Sequence, residues 1–314
     1  MPEELPAGYS WRPATLADAP AIVALIDTHS TSVIGNSDCT LDDINNQLAE
    51  PRTDLAADTW LVHRDRDLVA HGWVYARGTG DYVDFDVITV DESVREWLYE
   101  RTLARAAEIA RAGGHSGYTV DIGIYRADEA AQKAAAAHGL RAATTFYRMR
   151  IDHDGVVDTP VAPEGVTLRS GPGDEEFRRT AHRVLNTSFK DHFGWVAEAF
   201  EDWHATLDGM VGFDWSQLTL AYLDGEPVGI LLTGDAWIET DNCGDVKDLG
   251  VLAQARGRGI AKYLLRTAFA ADAAAGRVGT ILHVDSNNTT GALGLYEKVG
   301  MRSILVIDKW CATL

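Results

Sequence analysis

Lysine and cysteine are scarce in this chain, and long apolar runs are missing. Six lysines stand beside 22 arginines, and 47 acidic residues outnumber the 28 basic ones, giving a formal net charge of −19. A field of that sign repels phosphate backbones, which argues against nucleic acid as a partner. It would instead concentrate cationic small molecules such as amines, although its plainest effect is a solvated acidic surface. No apolar run approaches the ~18 residues of a membrane span, so no membrane partner is expected. The start, Met1-Pro2-Glu3-Glu4-Leu5, has no basic segment followed by an apolar stretch, and the expected address is the cytoplasm. Cys39, Cys243 and Cys311 are far apart and form no Cys-x-x-Cys pair, which argues against a disulfide framework or a metal site. There is also no Gly-x-Ser-x-Gly elbow and no His-Glu-x-x-His.

What is present reads as a mixed α/β protein long enough, at 314 residues, for two ordinary domains. Tyr9–Arg12 reads as a strand and Thr15-Leu16-Ala17-Asp18 as the capped start of a helix. Strand-like runs follow at Thr59–His63, Leu68–Tyr75 and Tyr82–Val90, then a helix at Val94–Ala112, a strand at Tyr118–Ile124 and an Ala-rich helix at Glu129–His138. Two short strands within Ala142–Ile151 are expected to close this unit. Residues 153–165, with two prolines and two glycines, read as a linker between a first domain, 1–152, and a second, 166–314. After the linker the same order of elements recurs, including a hairpin across Asp224-Gly225 and a helix at Ile260–Ala274. The repeat implies two copies of one fold.

The most informative stretch is Gly250-Val251-Leu252-Ala253-Gln254-Ala255-Arg256-Gly257-Arg258-Gly259-Ile260-Ala261, a strand, a glycine-rich loop and a helix start. Free backbone N–H groups and the positive dipole end make such a helix start an anion cradle. Lys262 stands where a dinucleotide-binding fingerprint needs a small residue, and Ile260-Ala261 where a nucleotide phosphate loop needs Lys-Ser/Thr.

Arg256-Gly257-Arg258-Gly259-Ile260-Ala261 resembles the pyrophosphate loop of the GNAT superfamily of acetyl-CoA-dependent N-acetyltransferases. The stretch from Val284 through Asn288, Leu295-Tyr296 and Gly300-Met301 is similar to that family's second half. The double-length layout resembles tandem GNAT proteins such as the mycothiol synthases. This resemblance implies two tandem GNAT acyltransferase folds, acetyl-CoA as co-substrate and direct acetyl transfer to a primary amine of a small molecule. The alternatives are mycothiol synthase activity proper and a non-catalytic acyl-CoA-binding protein.

The resemblance also implies roles. Arg256, Gly257, Arg258, Gly259, Ile260, Ala261 and Lys262 would hold the pyrophosphate, and Leu249 and Val251 would pair with the pantetheine arm as though it were a strand. Asn288 would touch the pantetheine, Tyr296 would protonate the departing thiolate, and Asp245 would be the base, through water. Plain strand alternation sets Asp245 and Asp248 on opposite faces, and Glu239, His283 and Asp285 are other carriers of that role. Phe189, Asp191 and His192 are acceptor-contact candidates, whereas Trp203, Trp215 and Trp237 read as packing aromatics.

In the first copy, aligning Val90 with Val251 sets Leu98 over Gly259 and Glu100 over Ala261, and aligning Gly139 with Gly300 sets Ala135 over Tyr296. One acetyl-CoA site, in the second domain, is therefore expected.

Overall fold

A computed structural model describes residues 4–287 and 291–314. The chain divides into two units: Met1–Thr145 with Ile307–Leu314, and Phe146–Val306.

In the first unit, β1 (Tyr9–Arg12) leads through a single 3-10 turn to α1 (Ala19–Ile34). That turn carries the expected capping box between Thr15 and Asp18. Then come α2 (Leu41–Ala49), α3 (Leu55–Asp58), β2 (Thr59–Arg64), β3 (Asp67–Arg77), β4 (Tyr82–Thr89), α4 (Arg95–Ala112), β5 (Thr119–Tyr125) and α5 (Glu129–Ala137). β1 to β4 form an antiparallel run, and β4 pairs in parallel with β5. α2 and α3 are absent from the sequence expectation, as are the later helices at Phe200–Gly209 and Ile238–Asp241.

The next strand, β6 (Arg141–Asp152), is one continuous element where two short strands were expected. Its residues 146–152 belong to the second unit. That unit continues with β7 (Val166–Ser170), α6 (Glu175–Phe189), α7 (Phe200–Gly209), β8 (Leu218–Leu223), β9 (Glu226–Gly234), α8 (Ile238–Asp241) and β10 (Cys243–Val251). It ends with α9 (Ile260–Ala274), β11 (Gly279–Asp285), α10 (Ala292–Lys298) and the first part of β12 (Arg302–Thr313).

The domain boundary expected at residues 153–165 is therefore not the division seen. β11 pairs antiparallel with β6 from Gly279 opposite Asp152 to Asp285 opposite Phe146, so chain from before the linker completes the second sheet. Within the first unit, β5 pairs with the end of β12, from Tyr125 opposite Ile307 to Thr119 opposite Thr313. Alternating side chains announce a strand but not its partner, which is why the sequence did not reveal the exchange.

Two apolar layers fix the second sheet. Ile260, Leu264, Leu265, Ala268 and Phe269 recur along one side of α9 and pack with Leu231, Val246, Val251 and Leu282. On the other face Leu185, Trp203, Leu207 and Trp215 from α6, α7 and the following turn pack with Leu218, Ile230 and Leu232. Trp203, Trp215 and Trp237 are all buried, as their size suggests. The β8–β9 hairpin turns on Asp224 and Gly225, at φ of 53° and 89°, the left-handed pair such a tight turn requires.

Candidate active site

The parallel pairing of β10 with β11 runs from Cys243 opposite Gly279 to Val246 opposite Leu282 and goes no further among the described residues. β10 nevertheless continues to Val251 and β11 to Asp285, so the two strands part like a wedge. A bulge sits at the fork. Pairing with β9 steps from Val246 opposite Thr233 to Asp248 opposite Leu232, leaving Lys247 as the extra residue. The bulge shifts the alternation by one. Asp245 opposite Gly234 and Asp248 opposite Leu232 therefore fall in the same phase, not on the opposite faces that unbroken alternation gives.

A cavity of about 570 Å³ occupies the wedge. Among its walls are Leu249 and Val251 from β10, Val284 and Asp285 from β11, the α9 start, and Tyr296 from α10. Gly257, Gly259, Ile260, Ala261 and Lys262 all reach it. The loop closes because Gly257 and Gly259 take φ of 77° and 80°, a left-handed backbone that side-chain-bearing residues disfavour. A Cβ on Gly257 would meet nothing within 4 Å, and one on Gly259 would meet only Pro163 Cγ, at 3.8 Å. There is thus open space beside both glycines at the start of α9, as an anion cradle needs.

Arg256 lines the cavity but its guanidinium is engaged: Nε donates to the Val251 carbonyl at 3.0 Å and Nη2 to the Ser188 carbonyl at 3.4 Å. It ties the loop to the end of α6 rather than offering a free charge. Arg258 is exposed and is not part of the cavity wall, and Asn288 lies outside the described residues.

Tyr296 is nearly buried, and its backbone carbonyl accepts from Met301 N–H at 3.0 Å, which fixes the end of α10. Burial, and next the negative charge of Asp248, push its phenol up to about 12. Asp248 is itself pushed up to about 6 by burial, with Lys247 opposing and Glu198 adding to the shift. Asp245 is buried and stands 3.9 Å from Lys247 Nζ, and neither it nor Asp248 is among the residues lining the cavity.

Phe189 and His192 line the cavity with their rings 4.4 Å apart, and Trp195 packs on Phe189 at 5.1 Å. Burial lowers the His192 pKa. Asp191 is exposed and outside the wall. His283 also lines the cavity, and burial together with the Arg148 charge presses its pKa down to about 3. Arg148 Nε donates to His283 Nε2 at 2.9 Å while the guanidinium lies 4.1 Å above the Trp237 ring. The lone pair a base would need is therefore occupied.

Sequence reasoning missed the Arg148–His283 pair, which only the β6–β11 pairing brings together. It also passed over Gly250, where a Cβ would stand 2.2 Å from Ser188 Oγ. A glycine inside a strand is the signal for such a close approach.

The first unit has the same wedge without the cradle. β4 and β5 pair only from Tyr82 opposite Thr119 to Asp84 opposite Asp121. α4 begins at Arg95, so the loop after β4 is shorter than the one before α9, and Val94 rather than Leu98 holds the position that caps the helix. Leu98 lies buried in the core, not in a loop. Arg95 is buried and bonded to Glu92. Ala135 does match Tyr296, since Leu140 N–H donates to the Ala135 carbonyl at 3.1 Å as Met301 does to Tyr296. Beyond the fork, His29 bonds Asp128 at 3.0 Å and the Tyr125 hydroxyl donates to Asp38 at 2.7 Å.

Residues 180–301 match the Acetyltransferase (GNAT) family profile. A mycothiol acetyltransferase of Rhodococcus erythropolis is 31% identical over 152 residues, 45% of this chain and 48% of the relative, so the match spans about half of that protein. One from Geodermatophilus obscurus is 27% identical over 251 residues, 74% of each chain. Among solved structures, a GCN5-related N-acetyltransferase from Sphaerobacter thermophilus superposes with a TM-score of 0.82 at 24% identity, covering 99% of this chain and 97% of its own. A tandem GNAT protein from the clavulanic acid biosynthesis pathway gives 0.72 at 15% identity over 97% and 98%. Residues 180–301, which hold the parted β10–β11 wedge, thus match the GNAT acetyltransferase family, and the chain as a whole shares the fold of double-domain GNAT structures.

Proposed function

We propose that this protein transfers an acetyl group from acetyl-CoA to a primary amine of a small molecule by direct attack in a ternary complex. The observation that carries the reading is the single cavity wall joining the free edge of β10, the open amides of α9 and Tyr296. The amides from Gly257 to Lys262 suit a diphosphate, and the unpaired edge at Leu249 and Val251 suits the amide groups of a pantetheine arm.

The amine must lose a proton to attack the thioester, and the departing thiolate must gain one. A phenol held near 12 keeps its proton at neutral pH, so Tyr296 is the donor. Asp248 stands behind the cavity wall, close enough for its charge to act on Tyr296, and takes the amine proton through water; Asp245, in the same phase, stays beside Lys247. Phe189 and His192 flank the acceptor.

The experiment is thiol release from acetyl-CoA across an amine library, with calorimetry of CoA binding. Turnover on at least one amine and a stoichiometry near one per chain are expected. Tight CoA binding without release on any amine supports an acyl-CoA-binding protein instead, and a stoichiometry near two overturns the reading of the first unit. The name shared by the curated relatives makes a mycothiol-type acceptor the second reading and the first amine to test.

A further inference from the structure

Val246 opposite Leu282 is the last paired rung between β10 and β11, so Lys247 and His283 are the first residues past the fork on their strands. Both line the cavity and both are exposed. The stem of Lys247, the bulge residue, lies over Gly234: a Cβ there would run into Lys247 Cε, although the backbone at that position does not itself call for glycine. The ammonium ends 3.6 Å from the Met210 sulfur and 3.9 Å from Asp245. A thioether is a weak acceptor and 3.9 Å is beyond a hydrogen bond, so most of the donor capacity of this ammonium is unspent. His283 brings a second donor. Its Nε2 accepts from Arg148 Nε at 2.9 Å, which leaves the proton of the neutral ring on Nδ1.

The α9 cradle lies past the far end of β10, and Val251 is ~13 Å along the strand from Lys247. A pantetheine arm laid along β10 from the cradle carries its thioester toward the fork, so the attacking amine belongs beside these two donors. The same cavity is lined by Phe146, Phe189, Phe193 and Trp195. Asp285 is the one carboxylate among the described wall residues, and its Oδ1 accepts from Asn287 N–H at 2.9 Å. A polycation therefore meets no acidic pocket here, and an amino sugar would set most of its hydroxyls against rings.

We propose that the acceptor is an α-amino acid with an aromatic or apolar side chain, its carboxylate held at the fork by Lys247 and His283 and its side chain among those rings. This rests on the acetyl-transfer reading given above and names the substrate class for it. N–H donors with a positive charge among them make short, strong bonds to a carboxylate. An amino acid is neutral overall, so the field of a chain with net charge −19 does not repel it. Holding the carboxylate fixes the amine on the adjacent carbon. The ammonium then gives one proton through water to Asp248, and the C–N bond forms as the C–S bond breaks. The thiolate takes the proton of Tyr296, which the second amine proton restores.

The test is steady-state thiol release from acetyl-CoA by the full chain with L-phenylalanine, phenethylamine and glucosamine. Phenethylamine keeps the ring and the amine but lacks the carboxylate. The parent is expected to show kcat/KM about tenfold or more higher for L-phenylalanine than for phenethylamine, the scale of one charge-assisted hydrogen bond, with glucosamine lowest. Lys247→Met should bring that ratio to about one, through a higher KM for phenylalanine, while Lys247→Arg should keep most of it. Gly234→Ala, which pushes the lysine stem aside and leaves its charge, should also lower the ratio. A general folding defect lowers both rates together and leaves the ratio unchanged. Equal parental rates with phenylalanine and phenethylamine, a parental preference for glucosamine, or an unchanged ratio in Lys247→Met overturns the inference and leaves the acetyl-transfer reading standing. Absence of thiol release with every amine overturns both.

Discussion

Replacing Tyr296 by Phe removes one hydroxyl and little else. The ring packs in the cluster with Leu264, Val284 and Met301, and the helix end is fixed through the main chain. A substitution that nearly conserves volume should cost less than about 1.5 kcal/mol of stability. The chemical effect should be larger. With the phenol near 12, only about one molecule in ten thousand lacks the proton at pH 8, so the donor is available throughout the working range. Loss of a positioned proton donor typically lowers turnover by about 10² to 10⁴, or roughly 3 to 5 kcal/mol of barrier. Because the proton is needed only as the thiolate leaves, kcat should fall while affinity for acetyl-CoA stays within about twofold. Steady-state thiol release and calorimetry measure the two separately. Activity of the parent should rise with pH through about 6 as Asp248 ionises, and Tyr296→Phe should keep that limb. A kcat within about threefold of the parent, with the cofactor still bound, would refute the assignment of the donor.

Two further predictions concern the first unit. His71 is fully buried on β3 and burial presses its pKa to about 4, below the ordinary 6.5. Because the folded state resists protonation there, this residue's contribution to stability is present above pH 6.5 and is lost as pH falls toward 4, by about 3 kcal/mol in all; His71→Leu should narrow the difference in Tm between pH 7 and pH 5, and an unchanged difference counts against the account. Lys309 Nζ lies 2.5 Å from Asp121 and 3.7 Å from Asp84, so Lys309→Met leaves Asp121 with the Tyr82 hydroxyl and Asp84 with Arg77 but removes the shared cation, and should cost about 3 kcal/mol in chemical denaturation. Adding Asp121→Asn should recover part of that loss, and a Lys309→Met protein as stable as the parent would show that the pair contributes nothing.

Local features were legible in the sequence because their physics is local. The Thr15–Asp18 capping box, the Asp224-Gly225 turn and the apolar side of Ile260–Ala274 each depend on residues a few positions apart, and each is present as read. The glycine loop was legible for the same reason: Gly257 and Gly259 are needed where the backbone turns left-handed just before a helix. Ala135 could be matched to Tyr296 because both sit a fixed distance before a glycine turn that closes a helix.

What remained hidden depended on partners distant in sequence. The sequence marked two short strands within Ala142–Ile151 and one at Ser303–Trp310, but hydrogen bonding between strands is indifferent to sequence separation, and only the assembled sheets decided that residues 146–152 pair with β11 and residues 307–313 with β5. The bulge at Lys247 inverted the phase of Asp248 because register is set by both strands together, and β10 alone carries no mark of it. Arg256 reads as a phosphate-facing charge until folding sets the Val251 and Ser188 carbonyls within its reach. The linker likewise has the composition of a connector, and only tertiary packing lays Pro163 against Gly259 at the start of α9.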